Sequence, residues 1–380
     1  MNRSKLIILG VGHSLQLISR YHHPGVFRTF FESVKPDAIC IERSPEKYHK
    51  SDFYEFAYEQ QFLTIPYALE KRIPLYPIDW LPTFEDDLLV NEKSPDHEEP
   101  PIIRMKNDFF KGHGCYPSNQ ILEFDFFFAD KYSNGILKKD QEWLDIRKSG
   151  ISDYWRRLVL YRNFMQAMRI KEVAKKHKGQ TILVVIGAFH KPDLENILND
   201  CDELEIVQPG TYEIKNKDEE RHLLDLDLFA ISTYNLLGVQ SKYGVVDWVW
   251  LEEILKQLER SISSVEVMLL RTRYNILKGT ITNEEAIACY KKISSASTYE
   301  QKLTFHGVKY QNRIDSYFDP FGYLSIKHRS EIEIAREYTK LRLSNKSLEI
   351  KKSILNSNNL SILQKAQIEG YWDEYVINMK

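Results

Sequence analysis

The chain has 380 residues, a formal net charge of −2 and an apolar content of 43%. This composition predicts a folded globular protein with room for more than one domain, and it excludes intrinsic disorder. Because there is no excess of basic residues, the charge does not favour nucleic acid or an anionic membrane surface as a partner.

Strand and helix signals alternate along the first eighty residues. Short apolar runs predict buried strands at 5–10, 37–42 and 72–80. Apolar residues at helical spacing predict helices at 24–35 and 52–71, where Pro66 is expected to break or kink the second helix. This β-α-β-α-β order predicts a parallel sheet with right-handed crossovers and flanking helices.

Residues 82–150 interrupt this alternation. The segment is polar and acidic and contains a Pro-Pro pair at 100–101, so we interpret it as an insertion between strands. It could serve as a lid over a site, or simply pack against the rest of the domain.

The alternation resumes after the insertion. Periodicity predicts a helix at 152–178, a strand at 181–190, a helix that opens at 192–198 and a final strand at 203–208. Beyond about residue 215 the signals are mostly helical. The sequence therefore predicts an α/β domain at 1–215 and a mainly helical appendage at 216–380.

Two of the predicted strands end in the same pattern, in which glycine is followed three positions later by histidine. Gly10 precedes His13, and Gly187 precedes His190. Because parallel strands end at the same edge of a sheet, both histidines are expected in one cleft, lined by the two glycines as part of a cofactor- or ligand-binding site. Glycine lets the backbone turn sharply where a side chain would obstruct it.

Ionisable residues also follow the second and third strands. Glu42 and Arg43 end one strand, and Asp79 ends the other. With His13 and His190, the two carboxylates form a ligand set suited to Zn²⁺, Mn²⁺ or Fe²⁺, which would acidify a bound water. The same residues allow a metal-free scheme, in which a carboxylate orients a histidine that takes a proton from water.

Arg162 lies on the helix that leads to the His190 strand. Its planar guanidinium could bind a carboxylate or stabilise an oxyanion. Each candidate also has a structural interpretation: a hydrogen-bonded histidine, a surface Glu42–Arg43 ion pair, an Asp79 turn cap, or a surface arginine packed along its stem.

Taken in order, these motifs resemble the superfamily that joins TraB/PrgY, GumN, ChaN-like, Tiki and erythromycin-esterase proteins. The matching segments are GVGH, CIER, LYPIDW, RNFMQAM and VVIGAFHKPDL. The resemblance covers about residues 5–200, with 82–150 poorly matched, and does not include the helical appendage.

The resemblance implies an α/β fold with His13, Glu42 and His190 in one cleft. Arg43, Asp79 and Arg162 would then be supporting residues. Activities differ within the superfamily: Tiki-like members look like metal-dependent proteases, erythromycin-esterase-like members open a macrolide ester, and ChaN-like members bind haem. The substrate therefore does not carry over.

Two functions of different classes follow from these observations. The first is a hydrolase that cleaves an ester or amide bond in a small-molecule or peptide substrate. The second is a non-catalytic module that uses the cleft for a ligand such as haem and the 216–380 region for a protein partner.

Location is predicted from two further features. Four cysteines without a CxxC pair predict reduced thiols in the cytoplasm. No stretch approaches the roughly 18 apolar residues of a membrane-spanning helix.

Overall fold

The computed structural model describes residues 3–81, 115–116, 153–212, 223–308 and 312–378. The predicted insertion at 82–150, with its interpretation as a lid, lies outside the described residues except at Cys115 and Tyr116. The chain forms two compact units. One contains 3–81, 153–212 and Leu223, and the other contains 224–308 and 312–378 together with 115–116. Each unit is described by itself below.

The first unit is built on a sheet of five parallel strands. They are β1 (Ser4–Val11), β2 (Ala38–Ile41), β3 (Leu75–Pro77), β4 (Thr181–Gly187) and β5 (Leu204–Ile206), in the order β3-β2-β4-β1-β5. The central strand β4 pairs with its neighbour β1 so that Gly187 lies opposite Val11, and both glycine–histidine segments therefore leave the sheet at the same level. The predicted α/β fold with a mostly parallel sheet is confirmed.

Helices connect these strands. They are α1 (Pro24–Val34), α2 (Pro45–His49), α3 (Ile65–Lys71), α4 (Asp153–Lys176) and α5 (Lys191–Leu198). Residues of α4 and α5, such as Ile170 and Leu194, share one apolar core with Leu6, Ile8 and Val184 of the sheet. The residues between them in the strands, which point to the opposite face, are buried as well. Burial on both faces explains why these strands are continuous apolar runs.

Three predicted elements differ from the structure. The helix expected at 52–71 begins only at Glu59, with a π-helical turn (Glu59–Thr64) that leads directly into α3. Pro66 lies in the first turn of α3. Because proline lacks an N–H and its ring crowds the carbonyl four residues earlier, a wider turn in front of it relieves the crowding.

The strand expected at 181–190 ends at Gly187. Residues 188–190 form a turn instead, and His190 is the N-cap residue of α5. The strand expected at 72–80 comprises only Leu75–Pro77. In both cases the carboxyl end of the strand is replaced by irregular backbone, and this is where the polar candidates lie.

The second unit is helical, as predicted for this part of the chain. Its helices are α6 (Asp225–Leu236), α7 (Gln240–Tyr243), α8 (Trp248–Ser261), α9 (Val265–Lys278), α10 (Asn283–Ala296), α11 (Ile326–Lys340), α12 (Ser344–Leu355) and α13 (Ile362–Trp372). A π-helical turn (Asp373–Ile377) follows α13. Of the helices in the described ranges, none has the length and apolar character needed to cross a lipid bilayer.

Candidate functional site

His13 lies two residues beyond β1, with its backbone in the left-handed region at a φ of 47°. Non-glycine residues rarely adopt this conformation, and such strain concentrates at functional sites. The Nδ1 atom lies 3.0 Å from Oε1 of Glu59, a fully buried residue in the π-helical turn. The ring meets Phe56 edge-on at 5.0 Å, and 24% of the side chain is exposed. One nitrogen is thus bound to a carboxylate while part of the ring remains accessible.

The pKa of His13 reflects opposing influences. Burial lowers it, but the Glu59 carboxylate, assisted by Glu42, raises it to about 9. His13 therefore carries a proton at neutral pH and loses it only under alkaline conditions.

Glu42 lies at the centre of the site, just after β2. Its Oε1 is 3.0 Å from Nη2 of Arg162 and 3.2 Å from Nε2 of His190. Its Oε2 accepts a 2.6 Å hydrogen bond from the backbone N–H of Gly187 and lies 3.9 Å from Nε2 of His13. Burial raises the pKa of Glu42, but His190, His13 and Arg162 together hold it well below its usual range. Glu42 is therefore an ionised carboxylate that both histidines share.

Gly187 has a clear steric role at this point. A Cβ atom there would lie 3.1 Å from Nε2 of His13 and 3.3 Å from Oε2 of Glu42. At Gly10, a Cβ atom would lie 3.0 Å from the Cα of Ala188. The sequence predicted that these glycines let the backbone turn sharply. In the structure, they instead leave room for neighbouring groups that a side chain at either position would crowd.

His190 is held by a chain of hydrogen bonds. The side-chain amide of Asn163 donates to Asp193 at 2.6 Å, so the carbonyl oxygen of Asn163 faces Nδ1 of His190, also at 2.6 Å. This assignment places a proton on Nδ1. The other nitrogen, Nε2, faces the Glu42 carboxylate at 3.2 Å. Both nitrogens of His190 are therefore occupied.

Arg162 joins the two predicted carboxylates. Its Nε and Nη2 atoms each donate to Asp79 at 2.8 Å, and Nη2 also donates to Glu42. Burial lowers the pKa of Arg162, but Asp79 and Glu42 raise it, so the guanidinium remains charged. Asp79 is fully buried and also accepts hydrogen bonds from Gln166 at 2.8 Å and Tyr54 at 3.2 Å. Asp79 thus fixes Arg162 in place.

Arg43 has a different environment from Glu42, its neighbour in sequence. Its Nη2 lies 3.2 Å from Asp52, and its guanidinium lies over the ring of Tyr54 at 4.2 Å. Since Tyr54 donates to Asp79, Arg43 acts on the site through Tyr54. This geometry makes Arg43 a positioning residue rather than a group beside the two histidines.

Four residues of the site were not singled out from the sequence: Tyr54, Glu59, Asn163 and Gln166. Gln166 lies four positions after Arg162 on the same face of α4, and Asn163 lies three positions before Gln166, so helical periodicity could have indicated these two residues. Glu59 and Tyr54 had no such signal, because both belong to a segment predicted as regular helix.

The predicted metal ligands can be compared with this geometry. Arg162 already neutralises Glu42 and Asp79, and both nitrogens of His190 are occupied. Within the described ranges, no group of three or more His, Cys, Asp or Glu residues is arranged to hold a metal ion. These residues fit a divalent ion poorly as they stand, and a Mn, Zn or Fe cofactor stays a prediction.

We found no match to this chain among protein-family models, curated proteins or solved structures. The family resemblance therefore stays a prediction.

Proposed function

We propose that this protein is a hydrolase of ester or amide bonds in which His13 activates water without a metal ion. The observation that carries the proposal is the pairing of His13 Nδ1 with the buried Glu59 carboxylate at 3.0 Å. When the ring is neutral, this pairing keeps the proton on Nδ1 and the lone pair on Nε2. The ring is partly exposed, so Nε2 can receive a proton from water.

The reaction then follows from proton transfer. His13 Nε2 takes a proton from water as the oxygen attacks the carbonyl carbon of the substrate. The resulting imidazolium gives that proton to the leaving oxygen or nitrogen as the carbon–heteroatom bond breaks, which restores neutral His13. Glu59 and Glu42, on either side of the ring, stabilise the imidazolium between these steps.

Arg162 is the group we assign to the developing oxyanion. It binds Asp79 and Glu42 through Nε and Nη2, and its Nη1 has no hydrogen-bond partner among the described residues. The side chain is 24% exposed, so this edge of the guanidinium can reach a substrate oxygen.

A panel of p-nitrophenyl esters and anilides tests the proposal. General-base catalysis contributes roughly 10²- to 10⁴-fold, so His13→Gln should lower kcat/KM by that amount, with a smaller loss for Glu59→Gln. For the wild type, kcat/KM should rise with pH up to about 9, because His13 must first lose its proton.

His177→Gln is the matched control. His177 is hydrogen-bonded to Tyr76 at 2.9 Å, and its carbonyl accepts from Ser4 at the opposite end of β1. Its replacement should leave kcat/KM unchanged. Full activity in His13→Gln would contradict the proposal, as would a rate that falls as the pH is raised from 7 to 9.

A further inference from the structure

The helical unit contains a second set of buried charges. Arg273 on α9 and Arg329 and Arg336 on α11 are at most 3% exposed. We call these three residues the arginine cluster. Each lies within 4 Å of the Glu333 carboxylate, which is fully buried on α11. Burial of this many charges is costly unless each one is paired and hydrogen-bonded.

Arg329 comes closest to meeting this requirement, although its Nε and Nη1 atoms have no hydrogen-bond partner within the described part of the chain. It lies 3.2 Å from Asp319 and 3.3 Å from Oε1 of Glu333, and it donates to the carbonyl of Leu237 at 3.1 Å. It also donates to the hydroxyl of Tyr375. Arg329 is therefore neutralised by close contacts.

Arg273 and Arg336 do not meet it. Their Nη1 atoms lie 3.8 and 3.7 Å from Oε2 of Glu333, beyond hydrogen-bond distance. Arg273 donates only through Nε, to the carbonyl of Leu236 at 3.2 Å. Within the described part of the chain, both Nη atoms of Arg273 and both Nε and Nη1 of Arg336 have no hydrogen-bond partner. Four buried N–H-bearing atoms of these two arginines thus lack a hydrogen-bond partner, and two of them, the Nη1 atoms, lie just beyond hydrogen-bond distance of Oε2 of Glu333.

The charges around the cluster do not balance either. Glu337 pairs with Lys340, whose Nζ lies 2.9 Å from both carboxylate oxygens of Glu337. Within the described residues, four cations (the arginine cluster and Lys340) therefore face three carboxylates (Asp319, Glu333 and Glu337). Buried water could satisfy the unpartnered N–H groups, but it could not neutralise the remaining positive charge.

We propose that Arg273 and Arg336 bind a small monovalent anion beside Glu333, with chloride as the probe. The anion accepts the unpartnered N–H groups of the two guanidiniums and neutralises the excess positive charge. It binds only the folded helical unit, because the two arginines come together only when α9 packs against α11. Anion binding therefore stabilises the fold.

Thermal unfolding of the full chain tests this proposal. Chloride should replace gluconate at constant ionic strength, because gluconate is too large for a buried site. The melting temperature should rise by about 5 °C at saturating chloride. Arg336→Gln removes the excess charge and should abolish that rise. The control is Arg271→Gln on α9, which alters ion pairs with Glu252 and Glu259 outside the cluster and should retain the rise.

Crystals soaked in bromide give a direct readout that does not require the variants to fold. An anomalous peak between Arg273 and Arg336 is expected. A melting temperature that is insensitive to chloride, together with no anomalous peak, would overturn the proposal and show that water alone occupies the cluster. An equal chloride response in Arg336→Gln and Arg271→Gln would also overturn it.

Discussion

The two glycine–histidine segments share one sequence pattern but differ in structure. After β1 the chain enters the left-handed region at His13 and continues as a short 3₁₀ helix (His13–Leu17). After β4 the chain turns and begins α5 at His190. The His13 side chain is 24% exposed, whereas that of His190 is 6% exposed.

The partners on Nδ1 explain the different roles we assign. His13 faces the Glu59 carboxylate, which favours its charged form, whereas His190 faces the neutral amide of Asn163. Both rings turn Nε2 towards Glu42. Strand geometry therefore determines where the histidines lie, and residues on other elements determine what each histidine can do.

Glu42→Gln should weaken the contacts of both His13 and His190, and we expect it to have the largest effect on stability. Removing one partner of a buried ion pair typically costs about 3–5 kcal/mol, and Glu42 pairs with Arg162 and His190. Urea unfolding at pH 7 measures the change. Glu32→Gln is the control, because Glu32 forms an exposed ion pair with Lys71 at 2.9 Å, and its replacement should change stability far less. Equal losses for the two variants would contradict the central position of Glu42.

The pH dependence of the free energy of unfolding should reveal the contribution of His13, as distinct from the other residues of the site. Its folded-state pKa of about 9 lies above the unfolded value of 6.5, so the proton binds the folded state more tightly. This stabilisation, up to about 3 kcal/mol, is fully present below pH 6.5 and is lost as the pH rises through 9. Urea unfolding at a series of pH values should show this loss in the wild type, and His13→Gln should remove it. An unchanged slope in His13→Gln would show that other groups cause the pH dependence.

The two glycines of the pattern should also respond differently to a methyl group. Gly187→Ala brings a Cβ against His13 and Glu42, so these side chains must shift, at about 2 kcal/mol and with a loss of activity. Gly10→Ala brings a Cβ against the backbone of Ala188, away from the reacting groups. It should lower the melting temperature but change kcat/KM much less. If both variants lose activity in proportion to their loss of stability, the predicted difference between Gly187 and Gly10 is wrong.

Much of the framework could be predicted from the sequence. Apolar runs identified the strands, and the parallel order brought Glu42, Asp79 and both histidines to one edge. Arg162 was identified because its helix leads into β4. These inferences succeeded because they depend on the order of the elements along the chain, from which the parallel direction of the strands follows.

The partners could not be predicted in the same way. Glu59 approaches His13 only because a π-helical turn precedes Pro66, and the helical pattern at 52–71 gave no sign of that turn. The pairing of Asp79 with Arg162 joins residues 83 positions apart through the packing of α4. Such contacts depend on tertiary structure, so the sequence left open whether the carboxylates would face a metal or an arginine.

The smallest expected effect concerns Asn163, which holds His190 in place. Asn163→Ala leaves Nδ1 of His190 and the Asp193 carboxylate without their partner, at about 1 kcal/mol of stability and a modest loss of kcat/KM. The double exchange N163D/D193N keeps both hydrogen bonds but places a carboxylate on His190, as Glu59 does on His13. It should recover most of the stability that Asn163→Ala loses and leave the pH–rate profile governed by His13. A new ionisation in that profile would show that His190, rather than His13, takes the proton from water.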